Sequence, residues 1–197
     1  MATLWFARHG QSTWNAEGRW QGQGDPPLSE LGRAQAEALA EALSGAGIAL
    51  LVSSDLERAR ETARIVGARL GLDPVLEPAL REHDVGAWSG LTHAEIEARW
   101  PEELARFRAG DLALAPGGGE SRLALRTRVR AALARLEARA GGPLALVSHL
   151  GVLRALAPGA HVAPGGLLRL DADSPAQLAE RGDPAPTRKQ PGPIQGS

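Results

Sequence analysis

"FARHGQSTWN", residues 6–15, is the stretch on which the fold turns. Phe6 and Ala7 close an apolar run, and Arg8, His9 and Gly10 follow without a spacer. A buried strand that runs straight into a cation and an imidazole reads as a mount for chemistry rather than as a turn. The surrounding chain has 197 residues, a formal net charge of −1, 43% hydrophobic residues and 23% charged residues. That length suits one domain with a small cap, and it allows about 70% of the unfolded surface to be buried. The balanced charge gives no argument for nucleic acid or an anionic membrane as partner, so any anion site must come from local arginines. There is no cysteine. This excludes a thiol nucleophile, disulfides and cysteine-ligated metal, and it fits a reducing compartment. The start "MATLWFARHG" lacks a basic segment and a long apolar segment. No run approaches the ~20 apolar residues of a membrane span, so the expected location is cytoplasmic.

Outward from this stretch, apolar strands alternate with helices. Residues 2–7 read as the first strand. Residues 29–45 read as a helix with Ser29 as N-cap, Ala36, Leu39, Ala40 and Leu43 as its stripe, and Gly45 and Gly47 as its stop. "IALLVSS", 48–54, is a continuous apolar run, the pattern of a strand covered on both faces. A helix over 55–71 follows, capped by Asp55 and ended by Gly71. Residues 72–92 read as strand fragments and loops. A helical stretch over 93–108 breaks near Pro101, a loop covers 114–121, and a long helix covers 120–140. "PLALVSH", 143–149, is a further buried strand before a helix, and 166–173 is a late strand. The tail beyond Ser174 is expected to be partly disordered. The alternation predicts an α/β fold: three layers, a mostly parallel central sheet and a small helical cap. The domain would cover 1–173 and the cap about 91–120.

Three apolar strands end in polar residues: Arg8-His9-Gly10, Asp55 with Arg58 one turn on, and His149. Ligands of open parallel sheets bind at such carboxyl ends, at a switch in strand order. Glu82, in "LREHDVGAW", adds a carboxylate from a loop. Arginines offer planar bidentate donors to phosphate oxygens. Neutral imidazole is a competent nucleophile towards phosphorus, and a carboxylic acid can protonate a leaving oxygen. No His-x₃-His pair or acidic cluster gives a metal signature, so the arginines would supply the positive charge.

The motifs together resemble the histidine phosphatase superfamily, the group that includes cofactor-dependent phosphoglycerate mutase. "LWFARHGQSTWN" resembles its signature, "GRWQGQGDPPLSELGRAQA" (18–36) the stretch after it, and "SSDLERARETA" (53–63) its arginine-bearing helix start. "LREHDVGAWSGLT" (80–92) resembles its glutamate loop, "APGGGES" (115–121) the loop before its long helix, and "LVSHLGVLRAL" (146–156) its second-histidine turn. The motifs keep the family order over most of residues 3–170. The resemblance implies that His9 is phosphorylated, that Arg8, Arg58 and His149 hold the phosphoryl group with Asn15 as a lesser donor, and that Glu82 is the general acid and then the base. Gln21 and Gly22 would contact substrate. It implies no cofactor and no metal. The chain departs from the usual His-Gly-Gly by carrying Leu150 after His149. A backbone site needing φ > 0 would strain Leu, whereas a phosphate contact through its N–H would not.

The activity so implied is a metal-independent phosphomonoesterase acting on a small phosphorylated metabolite, such as a sugar phosphate, a phosphoglycerate derivative or α-ribazole phosphate. The alternatives are a bisphosphoglycerate-dependent phosphoglycerate mutase and a non-catalytic phospho-ligand binder. Family mutases are longer and carry a paired-arginine insertion. Here that region is short, and Arg99, Arg106 and Arg108 are scattered. Read singly, Arg60 and Arg64 are solvated helix residues, His83 and His93 are structural rather than substrate contacts, His161 is peripheral, Trp88 is either core or pocket wall, and the arginines of 122–139 are a solvated helix face. A homodimer through an edge strand or through 93–108 stays open.

Overall fold

The structure, a computed structural model, describes residues 3–170. The expected tail, and the last part of the expected strand over 166–173, lie outside the described residues. Strands are β1 (Leu4–Arg8), β2 (Leu50–Ser53), β3 (Val75–Leu76), β4 (Leu144–Ser148) and β5 (Leu167–Leu170). Helices are α1 (Thr13–Ala16), α2 (Glu30–Leu43), α3 (Glu57–Leu70), α4 (His93–Arg99), α5 (Pro101–Arg108), α6 (Arg122–Ala140) and α7 (Leu150–Leu156). The sheet order is β3-β2-β4-β1-β5. All neighbours are parallel except β5, which runs antiparallel to β1. This is the three-layer α/β/α arrangement expected.

Alternation along the strands sends side chains to two different cores. Leu4, Phe6, Val52, Leu144 and Leu146 pack with α6 and α7. Ala7, Leu51, Ala145 and Val147 pack against Leu39, Ala40, Ala59, Ala63 and Val66 of α2 and α3. Both faces are covered, which is why the strands read as continuous apolar runs. A third cluster, Val85, Trp88, Ile96 and Leu104 with Trp20, Leu91, Trp100 and Phe107, builds the cap around α4 and α5.

Local signals fix most helix ends. Ser29 accepts the Gly32 N–H at 3.1 Å, and Gly71 ends α3 in the left-handed region at φ 69°. Asp55 does not cap α3 as expected. Leu56 holds the N-cap position without a side-chain bond, and Asp55 instead takes both oxygens to Arg81, at 2.8 and 2.6 Å. The bidentate pair outcompetes a single amide bond and ties the end of β2 to the glutamate loop.

The entry to α2 is pressed against the loop that follows β1. A Cβ on Gly32 would lie 2.0 Å from the Gln11 carbonyl oxygen, and one on Gly10 would lie 2.2 Å from the Gly32 carbonyl oxygen. Backbone meets backbone there, so no side chain can swing aside. Gly32→Ala is expected to destabilise the fold by about 1–3 kcal/mol, the usual range for overpacking, and to lower activity by displacing residues 10 and 11. Denaturant midpoints measure the first effect; an unchanged midpoint would show that the contact relaxes freely.

Candidate active site

The parallel pairing of β1 with β4 sets Arg8 opposite Ser148. The next residue on each strand is a histidine, and the His9 and His149 rings lie 5.1 Å apart between centroids. Ser53 of β2 pairs with Val147 on the other side of β4, so Ser54 and the start of α3 reach the same corner. His9 is 1% exposed, and Arg58 and His149 are fully buried. Arg8, Asn15, Gln21 and Glu82 are half-buried around them. The floor is sealed by protein, and the rim carries polar groups.

The hydrogen bonds assign the His9 tautomer. His9 Nδ1 lies 2.7 Å from the Gly10 carbonyl oxygen, which can only accept. The ring proton therefore sits on Nδ1 and the lone pair on Nε2. Gly10 is itself held, its N–H donating to Thr62 Oγ1 at 3.1 Å, and the Thr62 hydroxyl donates to the Arg58 carbonyl at 2.7 Å. His149 Nε2 lies 2.8 Å from Ser54 Oγ. That oxygen already accepts the Leu56 N–H, so its own proton is available to Nε2. With Ser54 donating, the His149 proton sits on Nδ1, a buried atom with no partner among the described residues.

Burial lowers both imidazoles well below their ordinary value, and the Arg58 and Arg8 charges push the same way. Both rings are neutral at pH 7. Arg58 is fixed by donation from Nη1 to the Gly24 carbonyl at 2.8 Å and from Nη2 to the Gly22 carbonyl at 2.9 Å. Burial pushes its guanidinium down to about 10, with the Glu82 carboxylate opposing, so it stays cationic. Arg8 donates from Nη1 to the Val162 carbonyl at 3.0 Å, and burial lowers it also. Among the described residues, the Nε atoms of Arg8 and Arg58 are buried without partners, as is His149 Nδ1. Three unmatched donors at one corner are costly unless an anion takes them, and a phosphoryl group has the acceptors to do so.

Glu82 accepts the His83 N–H at 2.8 Å and the Gly151 N–H at 3.0 Å. A Cβ on Gly151 would lie 2.2 Å from Glu82 Oε1, so any side chain there would push the carboxyl from its place. The carboxylate sits on the backbone amides of His83 and of Gly151 at the start of α7, a polar setting. Leu150 is the first residue of α7 and helical, so the strain considered for it does not arise, and its side chain packs against the α6–α7 core. Ser12 was not singled out from sequence. It is fully buried, shares its hydroxyl between Asn15 Oδ1 at 3.2 Å and Gln21 Oε1 at 2.7 Å, and so turns the N–H₂ ends of both amides to be what they can offer a ligand. Gly22 contributes its carbonyl to Arg58 rather than a visible donor to the site.

Two side chains beside the glutamate loop serve packing. Trp88 is fully buried in the cap cluster and is no pocket wall. His83 is 6% exposed, with Nε2 donating to the Glu120 carbonyl at 2.6 Å and its ring stacked on Phe107. A cavity of about 470 Å³ in the cap, lined by Arg99, Trp100, Glu102, Glu103, Arg106 and Leu114, contains none of the site residues. Among the described residues, no group of three or more His, Asp or Glu is placed to hold a metal, and no helix is long and apolar enough to cross a membrane.

Comparison with known proteins agrees with this architecture. The chain is 45% identical over 162 residues to the glucosyl-3-phosphoglycerate phosphatase of Mycobacterium tuberculosis, covering 78% of this chain and 72% of that one. It is 39% identical over 160 residues to phosphoglycerate mutase-like protein 4 of Arabidopsis thaliana, covering 79% and 69%. A solved mycobacterial glucosyl-3-phosphoglycerate phosphatase in complex with VO3 superposes with a TM-score of 0.80 at 39% identity, over 86% of this chain and 91% of that chain. The sequence profile of the histidine phosphatase superfamily, branch 1, matches residues 4–178, and the chain belongs to that superfamily.

Proposed function

We propose that this protein is a phosphomonoesterase that hydrolyses a small phosphorylated metabolite through a phosphohistidine formed on His9. The observation that carries the reading is the buried corner where His9 Nε2 bears a lone pair beside three unmatched donors, Arg8 Nε, Arg58 Nε and His149 Nδ1. Those donors stabilise the charge that builds on the equatorial oxygens during transfer. Nε2 attacks phosphorus, the ester P–O bond breaks, and Glu82 gives its proton to the leaving oxygen. In the second half, Glu82 takes a proton from water, water oxygen bonds phosphorus, and the P–N bond breaks to release inorganic phosphate. Asn15 and Gln21 present amide N–H₂ groups towards the substrate from the rim, and the Leu150 N–H is a further backbone donor at the start of α7. The substrate named for the mycobacterial relative, glucosyl-3-phosphoglycerate, is the first to test. The cytoplasm is the proposed location.

Single-turnover reaction with a ³²P-labelled phosphomonoester in EDTA should trap an acid-labile, base-stable phosphoenzyme that His9→Ala lacks. Absence of label in the active wild type would falsify the covalent route. Transfer of the label to a second hydroxyl instead of water would identify a mutase. Arg58→Ala should lower kcat/KM about 10²–10³-fold, the range for a preorganised donor at developing charge; an unaltered value would remove Arg58 from the site.

The neutral histidines predict a pH dependence of stability. Unfolded imidazoles take up protons below about pH 6.5, whereas the folded rings do so only at much lower pH. Below about pH 6.5 the unfolded chain binds more protons, so stability falls as the pH drops. Two such groups give a slope of up to about 2.7 kcal/mol per pH unit. Denaturant midpoints from pH 7.5 to 5.5 measure it. NMR titration should show neither ring titrating near its ordinary value, and titration of His9 at 6.5 or above would contradict the burial argument.

A further inference from the structure

Arg128 lies in the middle of α6, in a series of arginines that reads from sequence as a solvated face. Its contacts set it apart. Nε and Nη2 donate to the two oxygens of Glu120 at 2.7 and 2.8 Å. Nη1 donates to the Ala79 carbonyl at 2.8 Å, and Nη2 also to the carbonyl of Glu82 itself at 3.0 Å. By contrast, the Arg135–Glu77 pair on the same helix keeps 61% of the arginine side chain exposed, against 22% for Arg128.

Glu120 carries the clamp onward. Its N–H donates to the Asp84 carbonyl at 2.9 Å, and its carbonyl accepts from His83 Nε2 at 2.6 Å. One guanidinium and one glutamate thus hold residues 79, 82, 83 and 84, while Ser148 Oγ holds the Leu80 carbonyl at 2.7 Å. The fork geometry matters: a planar guanidinium reaches four acceptors in fixed directions, and an ammonium does not. The Glu82 carboxyl has little freedom of its own once its backbone is fixed, since it must also meet the Gly151 N–H.

We infer that Arg128 and Glu120 form a positioning unit that sets where the Glu82 carboxyl stands for proton transfer to the leaving oxygen. The inference rests on the reading of Glu82 as general acid. Neither residue touches the phosphoryl group; their effect passes through the glutamate loop. A displacement of about 1 Å in a positioned catalytic group can cost 10²-fold, and in the phosphorylation half-reaction the loss should appear only where the leaving oxygen needs the proton.

The test compares two substrates. Glycerol phosphate has an alkoxide leaving group that needs the proton; p-nitrophenyl phosphate has a leaving group that departs without it. Arg128→Ala should lower the single-turnover rate of His9 phosphorylation by glycerol phosphate about 100-fold and leave that rate with p-nitrophenyl phosphate within about threefold, because general-acid help is then not needed; hydrolysis of the phosphoenzyme, where Glu82 acts as base, is the same for both substrates and is measured apart. KM should hold for both. Arg128→Lys should not restore the alkyl substrate, and Glu120→Gln should show the same split at smaller amplitude. If Arg128→Ala melts below the assay temperature, those two variants carry the test. Equal losses on both substrates in every folded variant, or no loss on either, overturn the inference. Glu82→Gln run in parallel separates the two claims: if it shows the split and the Arg128 variants do not, the positioning unit fails alone; if it shows none, the general-acid reading fails.

Discussion

The structure depends on the pairing of β1 with β4 in parallel register. Adjacent parallel strands lie about 4.8 Å apart, and the His9 and His149 ring centroids lie 5.1 Å apart, so the imidazole spacing follows from the sheet itself. β2 flanks β4 on its other side, and three neighbouring strand ends therefore bring their polar residues to one corner. A slip of one residue in β1 would turn Phe6 and Ala7 to the wrong cores and carry His9 away with them. Packing and chemistry are thus locked to the same register.

The corner gathers positive charge without protonating its histidines. Arg8 and Arg58 stay charged because carbonyls of Val162, Gly22 and Gly24 take part of their donor capacity, and a carboxylate stands near both. Burial of the rings and the arginine charges beside them hold the imidazoles neutral. A protein of net charge −1 can in this way present a strongly cationic site to one group of its ligand while the rest of its surface stays balanced.

Much of this was legible in the chain. Continuous apolar runs ending in Arg8-His9 and His149 announced buried parallel strands with polar ends, because period and burial are local properties. Ser29 and Gly71 marked helix ends for the same reason. What escaped the sequence was whatever depends on partners from elsewhere in the fold. Arg128 looks like Arg126 or Arg130 until folding brings Glu120 and the carbonyls of the glutamate loop to it. Asp55 looked like a cap because the distant Arg81 could not be seen. Trp88 could have been wall or core, and only the position of α4 and α5 decides for core. Ser12 carries no signal beyond its type, and its role comes from being sealed between two amides.

The outermost strand on one side, β3, is only Val75–Leu76, between Pro74 and Pro78. Proline cannot donate to a ladder, and two residues offer an incoming segment hardly any hydrogen bonds. This border of the sheet is blunted against recruitment of a foreign chain, the usual defence of exposed sheets against clumping. Any self-association of the protein is thereby steered from this border towards side-chain surfaces, where it can be selective and reversible.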